Sequence, residues 1–394
     1  MYEYFPDNYT WSMSVMMTVN LGGNMSDIDE ACAPLRDIAG AGDDAAVEAW
    51  HKSWSRIAER AERYARADEA AGHTLSAGRK YKRACLYHMA DERQLSGREP
   101  RKIPIYEKML ACFAKYTELR REPVERVEIP YGDASLPALL VKPAGIEKPP
   151  VMVHFDGFDV MKEWIYMSGI AQELALRGIA TLIVDHPGVG EALRLRGLHQ
   201  IAETEKPAGA CLDWLEGRGD LDAAKAGIIA LSLGGYFAPR AAAYEPRFKC
   251  CVAWGGNFNF GERWEERFEG AKTGEPSVSH IEDHFNWVFG RDSLDETRKI
   301  TRNISLEGAV EKIACPILVT HGVNDRQVTL WNAETTIERA VNSPRAELKV
   351  FDFEEGGAEH CQCDNAEIGI DYMADWIAEV LGGTLGGNNK DTSR

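Results

Sequence analysis

The stretch Ala226-Gly-Ile-Ile-Ala-Leu-Ser-Leu-Gly-Gly-Tyr236 is an apolar run that ends on a serine boxed in by small residues. It reads as a buried strand turning straight into a helix. A serine hydroxyl is a poor nucleophile until the backbone holds it out on a sharp strand-to-helix turn. Such a turn crowds the positions two before and two after the serine, which here are Ala230 and Gly234 around Ser232. The usual form is Gly-x-Ser-x-Gly, and Ala230 departs from it by one methyl group. A plain helix-start loop also accommodates Ser-Leu-Gly-Gly, so the reading depends on what else the chain supplies.

Activating Ser232 requires a histidine base, and the histidine requires a carboxylate to fix its tautomer and stabilise the imidazolium. Downstream, Cys315-Pro-Ile-Leu-Val-Thr-His-Gly-Val-Asn-Asp325 is a short buried-strand pattern that runs into a loop carrying Asp325. Glu347-Leu-Lys-Val-Phe-Asp-Phe353 is another strand, followed by Glu-Glu-Gly-Gly-Ala-Glu-His360. Both residues fall just past strand ends, where an open α/β sheet places its ligand site. Their order after the serine is that of a Ser-Asp-His triad. The plainer reading, a turn aspartate and a surface histidine, leaves that order and placement unexplained. An oxyanion hole needs two backbone donors. Leu233 N–H, at the start of the helix after Ser232, is one. Phe158 N–H, in the loop after the strand Val151–Phe155, is the other, with Gly157 letting the backbone approach.

The rest of the chain sets these residues in a fold of the α/β class. From 151 onward strand and helix patterns alternate, which reads as a mostly parallel twisted sheet with helices on both faces. Arg126–Pro130 and Leu136–Lys142 form an antiparallel hairpin ahead of it. Residues 1–42 are an N-terminal extension without a sustained period, expected to be extended structure draped on the body or in contact with a second subunit. Residues 43–122 carry helical periodicity, as in Trp50, Trp54, Ile57, Ala61 and Tyr64, with Asp43 and Asp44 as caps. Residues 123–382 are the core, interrupted at about 256–312 by an insert rich in aromatics, read as a lid. Residues 383–394 are expected to be a disordered tail. Trp254, Phe258 and Trp264 are the candidate lining of an apolar substrate pocket.

Several segments carry a resemblance: Gly157-Phe-Asp-Val-Met-Lys-Glu163, Asp185-His-Pro-Gly-Val-Gly-Glu191, Ser232-Leu-Gly-Gly235, Glu245-Pro-Arg247, Trp254-Gly-Gly256, His321-Gly-Val-Asn-Asp325 and His360-Cys361. From about residue 40 to 382 the chain resembles the α/β-hydrolases that include 2,6-dihydroxypseudooxynicotine hydrolase and the fungal polyketide-shortening pigment hydrolases. The fermentation-respiration switch proteins are more distant relatives. The resemblance implies a serine hydrolase with a helical N-terminal region that helps to roof the active site. It also points to an acidic residue shortly after Trp-Gly-Gly, for which Glu262 is the candidate, with Glu265 and Glu266 beside it. The alternative is that all three are solvated helix charges. Substrate does not carry over, because members cleave different bonds.

A net charge of −17 argues against nucleic acid or an anionic membrane as partner. No window approaches a membrane span, and the first basic residue is Arg36, so no export signal is read. Nine cysteines without a regular framework fit reduced thiols in a cytoplasmic protein. His360-Cys-Gln-Cys363 and His280-Ile-Glu-Asp-His284 lack the ligand number or order of a metal site, so neither metal nor cofactor is expected. The expected partners are a small-molecule substrate and a second copy in a homodimer. Three functions remain: a hydrolase cutting a C–C bond next to a carbonyl in a β-diketone-like aromatic or hydrophobic molecule; a carboxylesterase, amidase or acyltransferase using the same triad; and a non-catalytic binding protein on this scaffold.

Overall fold

In the computed structural model, which describes residues 1–41, 44–270 and 274–384, the apolar runs read from the sequence form one eight-stranded sheet. Its strands are β1 (Val124–Tyr131), β2 (Ala134–Val141), β3 (Pro150–Phe155), β4 (Ala180–Val184), β5 (Asp222–Leu231), β6 (Cys251–Trp254), β7 (Ile317–Gly322) and β8 (Ala346–Phe351). They lie in the order β1-β2-β4-β3-β5-β6-β7-β8. β2 runs antiparallel to β1 and β4, and every other pairing is parallel. This is the mostly parallel α/β sheet expected. β3, β4, β6 and β7 are buried along their whole length, which is why they read as continuous apolar runs rather than alternating ones. The strand order reverses at β3, which has β4 on one side and β5 on the other. Loops leaving the ends of β3 and β5 therefore border the crevice where such sheets bind ligands.

Alternate side chains of the central strands feed two cores. Met152, Ile229, Val252 and Leu318 face a layer made by the N-terminal helices and the helix Ala366–Leu381. Val153, Ile228, Ala253 and Val319 face the opposite layer, with Leu212 and Ala241 from the helices Glu205–Glu216 and Gly234–Tyr244. The N-terminal layer consists of α1 (Tyr9–Asn20), α2 (Met25–Cys32), α3 (Asp44–Ala70), α4 (Thr74–Gln94) and α5 (Lys102–Arg120). Asp43, read as a helix cap, lies outside the described residues, as does the expected tail from 385 on. Among the described residues no helix is long and apolar enough to cross a membrane.

Two expectations are corrected. The described part of the extension, residues 1–41, is not extended structure: it forms α1 and α2. The apolar period is hidden because α1 buries polar positions as well, including Thr10, Ser12, Ser14 and Thr18. Three of these satisfy their hydroxyls on nearby carbonyls: Ser12 donates to Phe5 O, Ser14 to Thr10 O and Thr18 to Ser14 O. Serine and threonine buried in this way look polar in sequence yet cost little to bury. Second, Phe258 and Trp264 do not line the cavity beside Ser232, and the aromatics Phe260, Trp264 and Phe285 pack on one another. Phe260 stacks on Phe285 with ring centroids 5.7 Å apart, and Trp264 meets Phe285 edge-on at 4.5 Å.

The N-terminal layer is anchored by a chain of rings, with Trp11 4.8 Å from Trp50 and Trp50 stacked 5.1 Å from Trp54. Trp11 is 1% exposed. Trp11→Ala is therefore expected to destabilise the chain by about 3–5 kcal/mol, the range for emptying a large aromatic site. Chemical denaturation checks this, and an unchanged midpoint would show that α1 is not integral to the fold.

Candidate active site

β5 ends at Leu231, and the next residue turns the chain. Ser232 has φ +61°, a left-handed conformation that a non-glycine residue adopts only under restraint. The restraint is visible. Ser232 N–H donates to Trp254 O at 2.8 Å, and Gly235 N–H donates back to Ser232 O at 2.8 Å. A Cβ placed on Gly234 would lie 2.5 Å from the Ala230 Cβ, so only one of those two positions has room for a methyl group. Ala230 takes that room, which accounts for its departure from the usual glycine. A Cβ on Gly157 would lie 2.9 Å from Leu231 O and 3.0 Å from Ser232 Cβ. The loop after β3 thus presses directly on the turn.

The loops after β7 and β8 bring the other two residues to Ser232. His360 Nε2 lies 2.8 Å from Ser232 Oγ, and His360 Nδ1 lies 2.7 Å from Asp325 Oδ2. The other Asp325 oxygen accepts from the backbone N–H groups of Gln327 at 2.8 Å and Val328 at 2.9 Å. Burial alone would raise the Asp325 carboxyl, but His360, His321 and the backbone amide of Val328 hold it below the usual carboxylate range. Burial opposes charge on His360 too, yet the facing Asp325 carboxylate holds the imidazole well above its ordinary value. The arrangement can pass a proton from the serine to a histidine whose tautomer is fixed by a carboxylate. Leu233 is the N-cap of the helix Gly234–Tyr244. The Phe158 peptide is fixed from its carbonyl side, where His284 Nε2–H donates to Phe158 O at 3.2 Å. Burial pushes His284 down to about 4, so it is a neutral donor here.

A cavity of 360 Å³ opens above Ser232 and His360. Trp254 lines it, as expected, but Phe258 and Trp264 do not. Phe258 packs edge-on against Trp331, and Trp264 belongs to the insert's own aromatic cluster. Ser277 is the residue through which the described part of the insert reaches the cavity. The wall is instead built by Met13, Met17 and Leu21 from the N-terminal segment, with Trp164 and Ile370. Glu262 is corrected as well. It is exposed on the first turn of the helix Phe260–Phe268, its amide accepted by the Asn259 side chain and its carboxylate receiving the Asn259 amide at 2.7 Å. Glu265 pairs with Arg298 and Arg302. The expected acid is a first-turn helix residue bound to the N-cap Asn259.

Sequence reasoning missed Arg93 and Asp159, an ion pair in the cavity wall. Arg93 belongs to the run Asp91-Glu-Arg-Gln94, which resembles a solvated helix end although all four residues are buried. Among the described residues one group has metal-ligand composition, Glu62, His88 and Cys112, with donor atoms within 4.8 Å of one another. Its carboxylate is already paired: His88 Nε2 meets Glu62 Oε1 at 2.6 Å, and Arg66 sits on the other Glu62 oxygen. The nine cysteines form no disulfide.

The fold is that of the α/β-hydrolases, and the chain is an enzyme of that class. It belongs to the prolyl oligopeptidase family, whose model matches residues 166–384. It is similar to the 2,6-dihydropseudooxynicotine hydrolase of Paenarthrobacter nicotinovorans, with 29% identity over 88% of each chain. It is also similar to a 20-hydroxy-prefusarin hydrolase of Gibberella moniliformis, with 31% identity over 69% of this chain and 73% of that one. The crystal structure of the 2,6-dihydroxy-pseudo-oxynicotine hydrolase superposes with a TM-score of 0.76 at 25% identity, covering 96% of this chain and 99% of the other. That coverage leaves too few residues outside for the whole 1–42 stretch to lack a counterpart.

Two outcomes follow from this geometry. Gly234→Ala is expected to cost about 1–3 kcal/mol through overlap with Ala230, and adding Ala230→Gly should return most of it. Additive losses in the double-mutant cycle would show that the two positions do not compete for space. His360 must be neutral to accept a proton, and its pKa is raised, so kcat/KM should climb with pH on one ascending limb. Asp325→Asn, which removes the ion pair, should move that limb toward acid pH. A flat wild-type profile between about pH 6 and 9 would contradict this.

Proposed function

We propose that the chain is a serine hydrolase in which Ser232 attacks a substrate carbonyl, His360 takes and returns the proton, and Asp325 orients the imidazole. Leu233 and Phe158 N–H would receive the oxyanion. The observation that carries this reading is the contact pair of 2.8 and 2.7 Å linking Ser232, His360 and Asp325 at the floor of a largely apolar cavity. A volume of 360 Å³ suits a small hydrophobic molecule and not a polypeptide. The substrate class we infer is an aromatic or alicyclic compound with a 1,3-dicarbonyl-like group, cleaved at the C–C bond beside a carbonyl. Similarity to hydrolases named for small organic molecules supports it. The ester reading has its own support: Glu262 is on the surface, and among the described residues of the insert no acid lines the cavity, while ester hydrolysis needs none. Nine unpaired cysteines support a reducing, cytoplasmic setting.

Ser232→Ala and His360→Ala should each remove nearly all turnover, while Asp325→Asn should leave a residue reduced by about 10⁴-fold, as a wrong imidazole tautomer does elsewhere. A fluorophosphonate adduct on Ser232 should block the site. Near-normal turnover without Ser232 would remove the assignment. Product mass decides the bond: uptake of one water with C–C scission supports the carbon–carbon reading, and exclusive release of an alcohol or amine hands it to the ester or amide reading.

A further inference from the structure

The cavity above Ser232 continues into an annex of 20 Å³, and Met17, Leu21, Arg93, Asp159, Val160 and Trp164 line both. Two N–H donors in this shared wall have no acceptor among the described residues: Arg93 Nε and Trp164 Nε1, both sealed from solvent. The rest of the Arg93 guanidinium is held in place. Nη2 ion-pairs with the Asp159 carboxylate and donates to Ser277 O at 2.8 Å, and Nη1 reaches Asp159 O at 3.4 Å. Arg93 is 8% exposed and is the only arginine or lysine in the described lining. A buried donor without an acceptor is unfavourable, and such donors recur where a ligand supplies the missing oxygen. Asp159 directly follows Phe158, so this wall is tied to the loop that carries a proposed oxyanion donor.

We propose that Arg93 and Trp164 bind the second oxygen of the substrate, on the carbonyl two carbons from the one attacked, and stabilise it as an enolate. This rests on the carbon–carbon reading above. Ser232 Oγ bonds to the first carbonyl carbon, and its proton passes to His360. The bond between that carbon and its neighbour then breaks. The electron pair moves through the neighbouring carbon to the second oxygen, where the guanidinium and the indole N–H receive the charge. His360 returns its proton to the carbanion carbon, releasing a ketone. Water, deprotonated by His360, then cleaves the acyl-serine to a carboxylic acid. An ester's alkoxide takes the His360 proton directly and draws nothing from this wall. Arg93 and Trp164 are therefore specificity determinants for the C–C bond.

The test uses the full chain, a panel of aryl 1,3-diketones including benzoylacetone, and 4-nitrophenyl acetate. Trp164→Phe keeps the ring and removes the donor. It should lower kcat/KM for the diketones about 10-fold, the loss expected for one transition-state hydrogen bond. Arg93→Lys, which keeps a cation but loses the Nε–H, should lower it about 100-fold by the loss of a charge-assisted contact. In both variants the loss on the diketones should exceed the loss on the ester several-fold, since uniform damage to the wall would lower the two together. In a Ser232→Ala background, bound benzoylacetone should show an enolate absorption band that Trp164→Phe weakens. Parallel loss of both activities, or unchanged diketone selectivity in a wild type that does cleave diketones, overturns the inference alone. A wild type that hydrolyses the ester but cleaves no diketone overturns the carbon–carbon reading and this inference with it.

Discussion

The left-handed backbone at Ser232 governs the geometry of the whole site. A non-glycine residue held there costs about 1–3 kcal/mol and persists only when its surroundings over-determine it. The surroundings do so from three sides. The β6 end supplies Trp254 O to the Ser232 amide, the β3 loop presses Gly157 against the turn, and the helix start accepts Gly234 only because it carries no methyl group. Gly235 is similarly confined, since a Cβ there would strike the Gly255 carbonyl. The loops after β3, β5 and β6 therefore lock one another. The proposed nucleophile and both proposed oxyanion donors sit on a single rigid platform at the crevice of the sheet.

A second constraint positions the roof over that platform. Arg194, in the segment after β4, donates to Glu92 Oε1 at 2.8 Å, and Lys102 approaches the same carboxylate at 3.0 Å. All three are buried. Burial would raise the Glu92 carboxyl, but the two cations bring it down to about 2, while burial pulls Lys102 down to about 8. Breaking a buried pair leaves an uncompensated charge and is strongly destabilising. This cluster therefore fixes α4 against the core, and the next residue in the chain, Arg93, enters the cavity wall. A comparable cluster under the β3 loop joins Lys162 to Glu163, Asp185 and Glu191. Lys162 N–H also donates to Asp185 Oδ1 at 2.8 Å, which pins the end of that loop.

The parts legible in sequence are those where local chemistry admits few residue types. Only small neighbours tolerate the turn at Ser232, Asp325 follows the fully buried run of β7, and His360 follows β8, where apolar and charged residues alternate, so the sheet and the three-residue constellation could be read directly. The illegible parts are those where tertiary context reverses the local signal. The hydroxyls of α1 bond to nearby carbonyls and hide a buried helix. Glu262 is the acid the resemblance points to, but it sits exposed beside the capping Asn259, whose side-chain amide its carboxylate accepts. Phe258 and Trp264 are apolar enough for a pocket, yet their nearest apolar surface is another ring. The Asp91–Gln94 run reads as a solvated helix end because nothing local announces Arg194, Lys102 or Asp159 as its partners.

This division has a functional consequence. Ser232, Asp325 and His360 all fall within residues 166–384, the part of the chain that the family model matches. Met13, Met17, Arg93, Asp159 and Trp164, which shape the cavity above them, all precede residue 166. The proposed reactive constellation thus lies wholly within the matched region, while the cavity wall is mixed: α1, α4 and the β3 loop contribute from outside it, and Trp254, Gln327, Cys361 and Ile370 from inside. An acyl-transfer triad is indifferent to whether oxygen or carbon departs, because attack and oxyanion formation are the same in both cases. What distinguishes them is stabilisation of the leaving group, and the unpaired donors that could provide it lie in the segment that precedes the shared machinery. On the proposed carbon–carbon reading, bond selectivity therefore depends on what α1, α4 and the β3 loop contribute to the wall over the platform, and not on the triad alone.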